Sequence, residues 1–160
     1  MGHRVAVLRD GVLQQVDTPR TVYHEPDNLC VAGFIGSPAM NLVPCATGAD
    51  VEFGGVTLPL SDSARGALAG FAGDRVIVGF RPEAVTLGNG TPKGITRVVE
   101  DLGSEVFVHL ALDHGGETVS IVAKVPAPYG GEPGEPVPVR VTGAIHLFDP
   151  AGPRLATSMP

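Results

Sequence analysis

Lysine occurs only twice in these 160 residues, as Lys93 and Lys124. Neither stands in a G-x-x-x-x-G-K-[ST] run, so the chain has no P-loop to cradle a phosphate. Lys and Arg together number 11 against 17 Asp and Glu, a formal charge of −6. That balance argues against a nucleic-acid partner, because neutralising phosphates needs a basic face. The two cysteines, Cys30 and Cys45, are too few for a disulfide framework and lack the C-x-x-C spacing of a zinc site. Each is expected to be a buried free thiol. No apolar run approaches the roughly 18 residues of a bilayer span, and no secretory leader pattern opens the chain. A cytoplasmic, soluble protein is expected.

Catalytic patterns are missing too. There is no G-x-S-x-G elbow, and Gly36-Ser37-Pro38 reads as a turn. His3, His24, His109, His114 and His146 offer no H-E-x-x-H or other helix-face ligand spacing. His109 is expected to face solvent, and His114 to lie in a turn. No catalytic, cofactor-binding or metal residue is therefore assigned.

What the chain does have is 22 Gly and 15 Pro scattered along it, with 43% apolar residues. That combination predicts many short strands joined by turns. RVAVL (4–8) and VLQQV (12–16) flank Asp10-Gly11, a hairpin signal, and so short a ribbon needs a sheet or partner to lie on. Thr18-Pro19 starts a short helix. Asp27 is expected to cap a second one, whose almost all-round apolar surface calls for burial on more than one side. The stretch from Leu29 to Leu42, LCVAGFIGSPAMNL, then breaks at Gly36-Ser37-Pro38 and behaves as a hinge between two bodies.

Beyond the hinge the pattern is β. Gly54-Gly55 separates two short runs as a second hairpin, and residues 61–74 read as a loop or a single helical turn. RVIVGF (75–80) is a strand ended by Arg81-Pro82-Glu83. Alternation places Val106, Val108 and Leu110 on one face, then Val119, Ile121, Ala123 and Val125, then Val137, Val139 and Val141. The fold class predicted is mainly β: a small antiparallel barrel or sandwich, preceded by a hairpin and short helices. Arg81 and Glu83, opposite charges at a strand end, read either as a local turn or as a loop fixed for a partner.

The run from Arg4 to Leu42 resembles the segment that closes the nucleotide-binding domain of sugar-importing ABC transporter ATPases of the maltose, trehalose and glycerol-3-phosphate type. VIVGFRPEAV is similar to that family's G-[IVF]-R-P-E element, TRVVEDLGSEVFVHLAL to its later strand–Leu-Gly–strand hairpin, and VRVTGAIHLFDPAGPRL to its terminal strands. The resemblance covers essentially the whole chain, with Cys30 departing from the aromatic residue usual before V-A-G-F-I-G-S-P.

The resemblance implies an oligonucleotide/oligosaccharide-binding (OB) type barrel of the transport-associated class at 37–160, after the closing part of a nucleotide-binding domain at 1–36. It implies a regulatory and dimerisation role in an importer ATPase, with the Walker motifs, signature and switch histidine lying before Met1. The chain itself is then expected to be non-catalytic, while ATP and Mg2+ belong to a longer parent. The partners implied are a second copy of the subunit, membrane permease subunits on the inner face of the plasma membrane, and a regulatory protein. Candidate regulatory or interface residues are Phe34, Gly36, Ser37 and Pro38 on one element, and Gly79, Arg81, Pro82 and Glu83 on another. The alternative reading is a sensor domain whose barrel loops hold an oxyanion or sugar.

Overall fold

The computed structural model describes residues 3–159. Asp10 and Gly11 have φ of 51° and 78°. These are the two positive values that a two-residue hairpin turn requires, and they join β1 (Val5–Arg9) to β2 (Val12–Asp17). The Thr18 side chain accepts from the Thr21 N–H and opens α1 (Pro19–His24). Asn28, rather than Asp27, caps α2 (Leu29–Phe34), its Oδ1 accepting from the Val31 N–H at 3.0 Å. The backbone of Asp27 is used otherwise: its carbonyl accepts from the Arg154 N–H.

The hairpin lies on these two helices. Val7, Val22 and Val31 pack together beneath it. The buried Gln15 amide donates to the Glu25 carbonyl at 3.0 Å and accepts from the Asp27 N–H at 3.1 Å. Burial of α2 is one-sided, contrary to the all-round expectation: Val31 and Ala32 are buried, whereas Phe34 is 72% exposed. Cys30 is only half-buried, which corrects the expectation for that thiol; Cys45 is buried.

The remaining chain builds two larger antiparallel sheets and one small hairpin. One comprises β3 (Asn41–Ala46), β6 (Arg75–Phe80), β12 (Ile145–Phe148) and β13 (Arg154–Ser158), in the order β13-β12-β6-β3. The other comprises β7 (Val85–Leu87), β8 (Lys93–Asp101), β9 (Glu105–His114), β10 (Glu117–Pro126) and β11 (Pro136–Val141), in the order β10-β9-β8-β11-β7. Its ends β7 and β10 lie side by side, so this sheet nearly closes. Val78 and Phe80 from one sheet, with Leu110, Ile121 and Val139 from the other, fill a shared core. The architecture is the OB-type barrel expected.

Every residue of β12 is buried. Ile145 and Leu147 enter the barrel core, while Phe148 packs with Ala32 and Met40 below α2. Strand alternation therefore gives β12 two apolar faces, one toward the barrel and one toward the N-terminal helices.

Between β3 and β6 lie the hairpin β4 (Glu52–Phe53) and β5 (Val56–Thr57), then α3 (Asp62–Ala69). The helix spans two turns where a loop or one turn was expected. Ser61 caps it, and Ala64 and Leu68, four residues apart, are its buried pair. His114 ends β9 rather than sitting in a turn. Its Nδ1 accepts from the Gly54 N–H at 3.1 Å, so Nε2 carries the proton given to the Pro44 carbonyl at 2.9 Å.

Candidate functional site

The two candidate elements meet at Arg81. Arg81 directly follows β6 and turns into the interior, where it is 5% exposed. Its Nη1 donates to the carbonyl of Ile35, just past α2, and its Nη2 to the carbonyl of Tyr23 in α1 at 2.6 Å. The guanidinium carbon also stands 4.0 Å from the centre of the Tyr23 ring. That is cation–π distance.

Among the described residues no carboxylate lies within ion-pair distance of Arg81. Its charge is met by two carbonyl oxygens and an aromatic face. Burial pulls the guanidinium below its ordinary pKa, with Tyr23 and Glu83 acting in the opposite direction. An arginine so placed remains charged at neutral pH.

Glu83 does not pair with Arg81 directly. It stays exposed on the 3₁₀ turn Pro82–Ala84 and accepts the Tyr23 hydroxyl at 2.7 Å. Burial first, and then this bond to a carboxylate, raise the Tyr23 phenol to about 12. Tyr23 is thus held from both sides of Pro82, on its ring by Arg81 and at its hydroxyl by Glu83.

Gly36 completes the joint. Its φ is +115°, and a Cβ there would lie 3.0 Å from the Pro38 oxygen and 3.1 Å from Arg81 Nη1. Gly79 serves a parallel purpose on β6: a Cβ would fall 2.6 Å from Met40 Sδ and 2.8 Å from the Phe148 ring. Both glycines permit close approach between the segment following α2 and the end of β6. Pro82 is buried. Ser37 and Phe34 remain outside the cluster, both exposed to solvent.

Two participants were not selected from the sequence. Tyr23 sits in a six-residue helix without any motif. Asn41 lies inside the Leu29–Leu42 stretch, where no pattern marks out its side chain. Its side chain donates to the Val122 carbonyl at 2.9 Å and accepts from the Val122 N–H at 2.7 Å. A side-chain amide thereby copies a strand pairing, linking edge strand β3 to edge strand β10 across the gap between the sheets.

Two groups away from this joint are shifted by burial. Burial pushes the Cys45 thiol up to about 12, so it stays protonated. Burial, then the positive charge of Arg154, lowers His146 to about 4. No group of three or more His, Cys, Asp or Glu fit to hold a metal occurs among the described residues, and no helix of the described residues is long and apolar enough to cross a membrane.

Comparison with known proteins gives two family matches. Residues 36–85 match the MalK OB fold domain and residues 78–148 the TOBE domain. The first match begins at Gly36, and the two overlap across Arg81-Pro82-Glu83. The chain is 42% identical to the diacetylchitobiose uptake system ATP-binding protein MsiK of Streptomyces coelicolor, over 92% of this chain and 44% of that protein. It is 44% identical to the xylose/arabinose import ATP-binding protein XacK of Haloferax volcanii, over 93% of this chain and 40% of that protein. It is 35% identical to the sn-glycerol-3-phosphate import ATP-binding protein UgpC of a Ruegeria species, over 98% and 43%. The chain spans less than half the length of each of these relatives.

Proposed function

Since the chain belongs to the family of MalK OB-fold and TOBE domains found in the ATP-binding subunits of ABC importers, we propose that it is the regulatory and dimerisation part of such a subunit. In this reading residues 37–160 are the regulatory barrel, and the segment up to Gly36 is the end of the ATP-hydrolysing body. ATP and Mg2+ act elsewhere in the full-length subunit. That subunit sits on the cytoplasmic face of the membrane, pairs with a second copy, and powers carbohydrate or glycerol-3-phosphate uptake through permease subunits. The 160 residues by themselves turn over no ATP.

The observation that carries the proposal is the Arg81 joint. A buried arginine on the barrel holds the backbone of two segments that precede it, Tyr23 in α1 and Ile35 after α2. A domain that reports or restrains the state of a motor needs a stiff connection to it. The charge on Arg81 is spent on backbone oxygens and an aromatic ring, which suits a mechanical role.

Sedimentation of the pure chain at micromolar concentration, with an ATPase assay on the same sample, tests the reading. A dimer without ATP turnover is expected. A strict monomer would sink the dimerisation half, and measurable hydrolysis the non-catalytic half. Calorimetric titration with oxyanions and sugars addresses the sensor alternative: silence is expected, and saturable heat would move the assignment to ligand sensing.

A further inference from the structure

β8 loses its outer neighbour halfway along. Lys93 to Ile95 pair with β11. The Thr96 N–H then donates to the Glu135 carbonyl at 2.9 Å, and its carbonyl accepts from the Gly134 N–H at 2.8 Å. A bulge between Thr96 and Val98 follows, and from Val98 to Asp101 the strand runs in unbroken register on β9. No other described segment pairs its backbone with 97–101. The Leu102 N–H donates to the Glu105 carbonyl at 3.0 Å and closes the turn into β9. Backbone direction alternates along a strand, so Val99 and Asp101 turn their N–H and C=O groups outward. Such an edge is a template for another strand.

The side chains along this edge reverse sign. Arg97 is exposed, and no carboxylate lies within ion-pair distance of it among the described residues. Glu100 and Asp101 are exposed as well, and neither has a lysine or arginine within that distance. The neighbour of Glu100 is an imidazole, His109 Nε2 at 3.2 Å. Asp101 Oδ1 accepts from the Gly103 N–H at 2.7 Å, inside its own turn. Val98 and Leu102 add two large apolar side chains, 48% and 62% exposed. Charges of one sign along an edge repel an identical strand. A strand positive at its start and negative at its end instead matches its own copy laid antiparallel.

We infer that the far half of β8 is the surface through which two copies of this chain pair, antiparallel and about a two-fold axis at Val99. Val99 exchanges backbone bonds with Val99 of the second copy, while Arg97 lies opposite Asp101 and beside Glu100 of that copy. The same contacts recur across the axis, as a self-complementary interface requires. The run β10-β9-β8 then continues into its own image, and the two barrels share one sheet. Main-chain bonds and the apolar pair hold the copies together, and the charges set direction and register. The inference rests on the dimerisation reading and names the surface for it.

Sedimentation of the 160-residue chain over a micromolar concentration series, with amide hydrogen exchange at both ends of the series, tests the surface. The wild type is expected to dimerise, its Val99 amide protected at high concentration and released on dilution. Arg97→Glu, changed at an exposed side chain, should weaken the dimer about tenfold with the unfolding midpoint unaltered, and Glu100→Arg should do the same. Mixed in equal amounts, the two variants should recover about the wild-type affinity, because the new glutamate then meets the new arginine. A wild-type dimer indifferent to Arg97→Glu, a Val99 amide that exchanges equally at all concentrations, or variants that stay apart when mixed would overturn this surface and leave dimerisation standing. A wild-type monomer throughout the series would overturn both.

Discussion

Arg81 and Ile35 lie 46 positions apart, yet the guanidinium of one donates to the backbone carbonyl of the other inside the protein. Removing Arg81 leaves the Ile35 and Tyr23 carbonyls without that donor. Charge-assisted bonds of this type contribute about 1.5–3 kcal/mol each, with strong overlap between two made by one group. Arg81→Ala should therefore lower the unfolding free energy by about 3 kcal/mol. Arg81→Lys, lacking the planar fork, should restore only part of it. Urea denaturation measures both; a loss below about 1 kcal/mol for the alanine variant would show that the joint contributes little.

Gly36 and Gly11 both have positive φ, but only Gly36 is crowded. Gly11→Ala meets nothing within 4 Å, so it should cost only the backbone strain, about 1 kcal/mol. Gly36→Ala adds a collision with the Pro38 oxygen and Arg81 and should cost about 2–3 kcal/mol. Equal costs at the two sites would contradict the packing account.

The Asn41 amide should behave as a strand pair. Asn41→Leu leaves the Val122 N–H and C=O without their partner and should destabilise by about 2 kcal/mol. Hydrogen exchange of the Val122 amide should accelerate in the same variant. Unchanged exchange there would mean that the barrel seam is closed by other contacts.

His146 supplies a pH dependence. It is buried and held neutral, with a folded-state pKa of about 4 against 6.5 for the free side chain. Between those values the unfolded chain binds a proton that the folded chain refuses. Its contribution is therefore fully present above about pH 6.5 and is lost as the pH falls toward 4, by about 3 kcal/mol in total. The Thr157 hydroxyl accepts from Arg154 Nη1 at 3.1 Å and so can donate its own proton to His146 Nδ1, 2.9 Å away. Urea midpoints at pH 7.5 and 4.5 should separate more for the wild type than for His146→Gln. An equal separation would remove His146 as the cause.

Alternation and turn chemistry made most of the barrel legible. The Val106/Val108/Leu110 face and the Asp10-Gly11 turn stand where their patterns placed them, because period-two burial and positive φ are local demands. α3 was under-read because Gly66 and the small residues around it dilute a helical signal that rests on Ala64 and Leu68 alone. His114 and Asn41 could not be assigned, since their partners lie about 60 to 81 residues away. The joint was half visible. The hinge and the R-P-E element were each singled out, but what connects them is an arginine reaching sideways to carbonyl groups. Backbone acceptors leave no trace in side-chain patterns, so that connection had no sequence signature.

The central claim is that Arg81 locks the segment before Gly36 to the barrel. Residual dipolar couplings from the β1–β2 hairpin and from the barrel strands, in wild type and Arg81→Ala, test it most directly. The account predicts one common alignment tensor for the wild type and two different tensors for the variant. Two tensors in the wild type, or a single one retained by Arg81→Ala, would contradict it.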